Sequence, residues 1–181
     1  MKTVLLFSGG LDSLACLDLL RARGHEVRCL FVNFGQQSLE QERKAVSQLS
    51  EKLNFHASEA KIDFGKRFGA GEITGRNTAL IACGIMAANE GTSFVAIGIH
   101  AGSPYYDCSP LFAKRMTCIV TECSGGRLEF SAPLLKWRKR SIIDHIKERE
   151  LPFELTYSCE SGEYPPCGSC LSCKDRELLE C

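Results

Sequence analysis

Two rhythms of apolar and polar residues alternate along this 181-residue chain, and they divide it into strands and helices in turn. Thr3, Val4, Leu5, Leu6 and Phe7 are β-branched or apolar, as a strand buried on both faces requires. Leu14, Leu17 and Leu20 then recur at helical spacing. Residues 26–34 alternate and then run apolar into a second strand that ends in Asn33, Phe34, Gly35 and Gln36. Residues 39–53 form a charged amphipathic helix, 56–62 a third strand, 78–89 a small-residue-rich buried helix and 94–99 a fourth strand. Strands separated by helical stretches imply βαβ units with right-handed crossovers, and so a doubly wound, mostly parallel α/β sheet whose site lies at the carboxyl ends of the strands. Residues 109–120 and 140–149 read as further helices, with turns at residues 123–126 and at Pro133 between them. From residue 151 the composition shifts to Pro, Gly, Ser and Cys. The pattern therefore predicts an α/β domain over 1–150 and an irregular knuckle over 151–181, packed on that domain and closed by a short helix at 174–179.

Composition sharpens this picture without changing it. With 44% hydrophobic residues the chain can bury a full core. Its 22 basic and 22 acidic residues balance, so no global field favours nucleic acid or an anionic membrane as partner. No apolar run approaches the roughly 20 residues needed to span a bilayer, and the expected location is the cytoplasm. Eleven cysteines, an odd number with four clustered, point to thiols and thiolates rather than disulfides.

The candidate chemistry begins where the first strand meets the first helix. Phe7, Ser8, Gly9, Gly10, Leu11, Asp12 and Ser13 join them. Glycines without Cβ atoms let backbone N–H groups approach an anion, the helix adds its N-terminal partial charge, and Ser8 and Ser13 offer hydroxyl donors. The loop suits a polyphosphate. It lacks the Gly-Lys-Ser/Thr ending of the Walker loop, which argues against simple γ-phosphate transfer. Asp12 beside a triphosphate calls for Mg²⁺ between them; the competing reading is that Asp12 caps the helix while the glycines only turn the chain. At the other end, Cys159, Cys167, Cys170 and Cys173 carry the spacing of a structural Zn²⁺ site, with an iron–sulfur cluster or free thiols as alternatives. Four sulfur ligands leave no open position for water, so such a metal would be structural. Cys16, Cys29, Cys83, Cys118, Cys123 and Cys181 read as small hydrophobes or surface thiols.

Ser8-Gly9-Gly10-Leu11-Asp12-Ser13 resembles the signature of the PP-loop ATP pyrophosphatases. Taken with Cys-x7-Cys-x2-Cys-x2-Cys, it resembles the 7-cyano-7-deazaguanine synthases of queuosine biosynthesis over nearly the whole chain. Asn33 to Gln36, Gly75-Arg76-Asn77, Gly98-Ile99, Tyr106-Asp107-Cys108, Pro133-Leu134-Leu135 with Lys139, and Thr156-Tyr157-Ser158-Cys159 follow in matching order. The resemblance implies a ligase that activates 7-carboxy-7-deazaguanine with ATP, captures ammonia as an amide, and dehydrates the amide to a nitrile after renewed activation. It also implies ATP, Mg²⁺ and Zn²⁺ as cofactors and a homodimer as the assembly. ATP contacts are then expected from residues 7–13 with Asn33 and Phe34, catalytic roles for Asp12, Arg76 and Lys139, and substrate contacts from Gln36, Asn77, His100, Tyr106 and Asp107. Arg76 could hold phosphate or carboxylate, Lys139 could neutralise leaving pyrophosphate, and Asp107 could pair with a guanine-like edge. Arg76 and Lys139 also read plainly as solvated surface charges, and His100 and Cys108 read more readily as structural residues.

Three departures from the family lie where the substrate should sit. Gln36-Gln37-Ser38 stands where relatives commonly carry Gln-Arg-His, the segment between Asp63 and Gly75 is short, and residues 98–108 are two residues shorter than usual. They keep open an amide-forming ligase whose acceptor is a larger amine or a protein partner. An RNA sulfur-transfer enzyme and a non-catalytic ATP-binding adaptor are the remaining alternatives.

Overall fold

The computed structural model describes residues 1–177, among which five strands and six α-helices are defined. β1 (Lys2–Leu6) lies at the centre of one sheet between β2 (Glu26–Asn33) and β4 (Thr92–Ile97). β3 (Ala57–Lys61) flanks β2, and β5 (Glu129–Ser131) flanks β4. Every neighbouring pair is parallel. The order β3-β2-β1-β4-β5 reverses the winding between β1 and β4, so the loops that leave these two strands diverge and open a crevice above their carboxyl ends.

The alternation along β1 sets the two layers. Leu5 and Phe7 join Leu14 and Leu17 of α1 (Leu11–Ala22), Val46 and Leu49 of α2 (Leu39–Lys52), and Ile142, Ile143 and Ile146 of α5 (Lys139–Glu148). Val4 and Leu6 join Ile81 of α3 (Arg76–Met86) and Phe112, Met116 and Val120 of α4 (Pro110–Cys123). A fully buried apolar side chain contributes about 1.5–3 kcal/mol, so the two faces hold the sheet rigid beneath the site. Close approach at two glycines fixes the spacing. A Cβ on Gly84 of α3 would lie 2.6 Å from Val95 Cγ1, and one on Gly98 after β4 would lie 2.8 Å from the Asp12 carbonyl oxygen.

The sequence pattern placed no strand at 129–131. Three residues with only Phe130 strongly apolar give no measurable period, yet the segment pairs with Phe94, Val95 and Ala96 at the sheet edge. The third helix starts at Arg76, two residues before its expected start, because the Asp107 carboxylate accepts the Asn77 N–H and caps it from a distant loop. The tail helix α6 spans Leu171–Glu177. Residues 178 and 179 of the helix expected at 174–179, and Cys181, lie outside the described residues. Among the described residues no helix is long and apolar enough to cross a membrane.

Candidate active site

The loop between β1 and α1 forms one wall of an open cleft of about 360 Å³ at the sheet's carboxyl edge. Gly9 takes φ +79°, a conformation that favours glycine, and a Cβ there would press against Ala45 Cβ at 3.0 Å and Val46 Cγ2 at 3.2 Å. Ser13 donates its hydroxyl to the Gly10 carbonyl at 2.8 Å, so it stabilises the turn, while Ser8 is exposed at the mouth. Phe7, Ser8, Gly10, Leu11, Asp12 and Ser13 all line the cleft, as does Phe34 after β2. Asn33 is placed differently. Its amide donates to Glu59 and its carbonyl accepts the Gly35 N–H, which makes it a brace beneath the loop.

Charge concentrates on Asp12. Lys139, the first residue of α5, donates to Asp12 Oδ1 at 2.7 Å and stands 3.5 Å from Asp175 Oδ2 of α6. Asp12 Oδ2 faces His100 Nε2 at 3.7 Å, beyond hydrogen-bond distance. One carboxylate oxygen is thereby left toward the cleft, and a hard oxygen donor beside a phosphate-sized loop fits a Mg²⁺ ion held jointly with phosphate oxygens. His100 is 8% exposed and its Nδ1 has no hydrogen-bond partner. Burial lowers its pKa, opposed by Asp12 and Asp175 and assisted by Lys139.

The far end of the cleft carries a second set of polar groups. Gln36 is a buried strut that donates to the Val32 carbonyl and Glu42 while accepting from Phe34 N–H. Glu42 also accepts from Ser38, and burial raises its pKa against those two hydrogen bonds. Arg76 and Asn77 line the cleft, and among the described residues Arg76 forms no ion pair. Its Nε donates to Asn77 Oδ1 at 3.4 Å, and its charge opposes the rise in the Glu42 pKa. Asp107 is occupied as the α3 cap, and Tyr106 is half-exposed with its hydroxyl on Arg115; neither lines the cleft. Tyr105, one residue earlier, lines the cleft. Glu42, Tyr105, Glu160 and Asp175 were not singled out by sequence, because only the fold brings α2, the 98–108 loop and the tail to one cleft.

The tail closes that cleft. The Tyr157 N–H donates to the Gly9 carbonyl at 3.0 Å, and Glu160 accepts from the Gly71 N–H and the Ser172 hydroxyl. Cys159, Cys167, Cys170 and Cys173 bring their sulfur atoms within 4.8 Å of one another, with Cys167 and Cys173 Sγ atoms 3.9 Å apart. A tetrahedron of Zn–S bonds near 2.3 Å has edges of about 3.8 Å, so the set fits a tetrahedral metal ion. Hydrogen bonds from Ser169 pull the Cys167 thiol down to about 5, whereas burial pushes Cys173 up to about 12.

The family described as queuosine biosynthesis protein QueC matches residues 2–75 and 71–178. The chain belongs to this family. Among its QueC relatives, a 7-cyano-7-deazaguanine synthase of Prochlorococcus marinus (strain NATL2A) is 31% identical, covering 97% of this chain and 91% of its own length. One from Koribacter versatilis is 32% identical over 95% of this chain and 85% of its own. The alignment with the first runs to 207 positions against a 181-residue chain, so this QueC member omits segments which that relative carries. The family match restarts at residues 71–75, inside the stretch whose shortness stands out in the sequence. The fold is shared more widely. A predicted subunit of tRNA methyltransferase from Methanocaldococcus jannaschii superposes with a TM-score of 0.53 at 16% identity, over 87% of this chain and 92% of its own. A 4-thiouridine synthetase, solved with RNA and bound ATP, superposes at 0.52 and 20% identity over 99% of this chain and 49% of its own.

Proposed function

We propose that this QueC protein adenylates 7-carboxy-7-deazaguanine and transfers the activated carbonyl to nitrogen, as a 7-cyano-7-deazaguanine synthase. The observation that carries this reading is the Asp12–Lys139 pair at the mouth of the Ser-Gly-Gly-Leu-Asp-Ser loop, with the Arg76 guanidinium, held by Asn77, in the same cleft. The substrate carboxylate, oriented by Arg76, attacks the α-phosphorus of ATP; the bond to the β-phosphate oxygen breaks and pyrophosphate leaves beside Lys139. Ammonia then displaces AMP to give the amide. A second ATP adenylates the amide oxygen, and loss of AMP and a proton yields the nitrile. A Mg²⁺ ion at Asp12 would neutralise phosphate charge during both activations. Neutral His100 is placed to accept a proton near Asp12. Zn²⁺ is the metal best suited to the four thiolates, where it would fold residues 151–181 as an appendage of the α/β domain.

The second reading, an amide-forming ligase with a larger amine or a protein as acceptor, draws on the omitted segments and on the restart at residues 71–75, which borders the cleft. A less covered adenylate is more open to bulky nucleophiles. Mass spectrometry after incubation with ATP, Mg²⁺, the acid and ammonium separates the two. Nitrile establishes the synthase, amide that never dehydrates favours the ligase, and an unchanged acid without pyrophosphate release overturns both.

A further inference from the structure

Lys139 has two carboxylates and one ammonium to share between them. Asp12 holds it at 2.7 Å and Asp175 stands behind it at 3.5 Å, with the lysine side chain 16% exposed. If Asp12 turned to a magnesium ion, an ammonium whose only anchor was Asp12 would lose its place at the moment it is needed beside the phosphates. Asp175 supplies a second anchor from the opposite side, and its own position is fixed. On α6, Ser172 donates to Glu160, Cys173 points into the sulfur cluster, and Arg176 donates to the Phe153 and Thr156 carbonyls. Asp175 sits between the last two of these tethers.

We propose that Asp175 is a positioning residue that retains the Lys139 ammonium at the nucleotide site when Asp12 engages Mg²⁺. The metal-binding tail thus contributes a charged group to nucleotide chemistry carried out on the α/β domain. This rests on the proposed adenylating function for what Lys139 does next, but the hand-over between the two carboxylates can be read from nucleotide binding alone. Without Asp175, the ammonium has, among the described residues, only Asp12 as anionic partner within 4 Å and competes with Mg²⁺ for it.

The test is calorimetric binding of ATP to the full-length protein over a range of Mg²⁺ concentrations, with zinc content and melting temperature measured on each variant. Asp175→Asn is expected to keep its metal and melting temperature and to need about tenfold more Mg²⁺ for half-maximal ATP binding, with Asp175→Glu restoring the wild-type requirement. In a Lys139→Met background the same Asp175→Asn change should leave the Mg²⁺ requirement unaltered, because the competing cation is gone. An unshifted Mg²⁺ requirement in Asp175→Asn overturns the proposal, as do additive effects in the double variant. Loss of metal in Asp175→Asn also overturns it, by assigning the residue to the knuckle. If the wild type binds Mg²⁺-ATP but leaves the acid unchanged, the adenylation reading fails while the Asp175 result still stands. If the wild type binds no ATP, both fail.

Discussion

Asp12 is the residue on which the site's electrostatics converge. Asp12→Asn keeps size and one acceptor but removes the charge that pairs with Lys139 and that the proposed Mg²⁺ would need, so pyrophosphate release should fall about 10²-fold or more while the melting temperature moves little. Steady-state assays beside thermal unfolding check this. His100 makes a separate prediction. Its pKa is lower in the folded protein than in the unfolded chain, chiefly through burial, so below about pH 6.5 the unfolded chain binds more protons. Its contribution to stability is complete above that value and is lost as the pH falls through the lower folded value. His100→Asn should flatten the decline in melting temperature between about pH 7.5 and 5.5. An identical decline in both proteins would remove His100 as its source. At this scale the sequence was most legible where residues near in sequence come together in space, as in the loop Ser8 to Ser13 beside the cleft and the four clustered cysteines. Asp107 and Tyr106 matched family landmarks in order, yet a landmark fixes a position along the chain and not the direction of a side chain. Asp107 spends its carboxylate on the Asn77 N–H, and Tyr106 turns outward to Arg115.

Elements long enough to show a period were readable to within two or three residues at most ends, whereas β5 was not. Its three residues exist because β4 offers an unpaired edge, and that edge is a tertiary fact. Two helix starts carry the site: α1 presents Asp12 and α5 presents Lys139, and their packing through Leu14, Leu17, Ile142 and Ile143 sets the distance between the two charges. α3 tests how tightly the opposite layer is built. A Cβ on Gly84 would sit 2.6 Å from Val95 Cγ1, so Gly84→Ala should displace α3 from the sheet and cost about 1–3 kcal/mol in denaturant unfolding, despite alanine's better helix propensity. A gain in stability would show that the layer has slack.

For the molecule as a whole, the tail is the element least able to support itself. It buries Tyr157, Cys159 and Cys173 against Ala45, a cluster much smaller than either face of the sheet. A structural metal contributes ~10 kcal/mol or more in small domains, so chelation should raise hydrogen exchange across residues 155–177 while the central strands stay protected. Uniform protection after complete metal removal would show that the tail folds without it. That the tail gathers four thiols in the manner a metal site needs was legible in the cysteine spacing. That it also walls the cleft beside Ser8 to Ser13 was not, since nothing local to residues 157–175 records that Gly9, Gly71 and Lys139 lie opposite.

The hydrogen bond from the Tyr157 N–H to the Gly9 carbonyl joins backbone from near the two ends of the described chain. Closing so long a loop is entropically slow, and it gains little until the sheet between the two ends exists. Refolding should therefore recover far-ultraviolet signal first and nucleotide affinity later, with a lag that shortens when metal is supplied from the start. A ribosome-bound chain exposes the phosphate loop early but completes its wall only after the tail has emerged, so nascent copies would not hold ATP they cannot yet use.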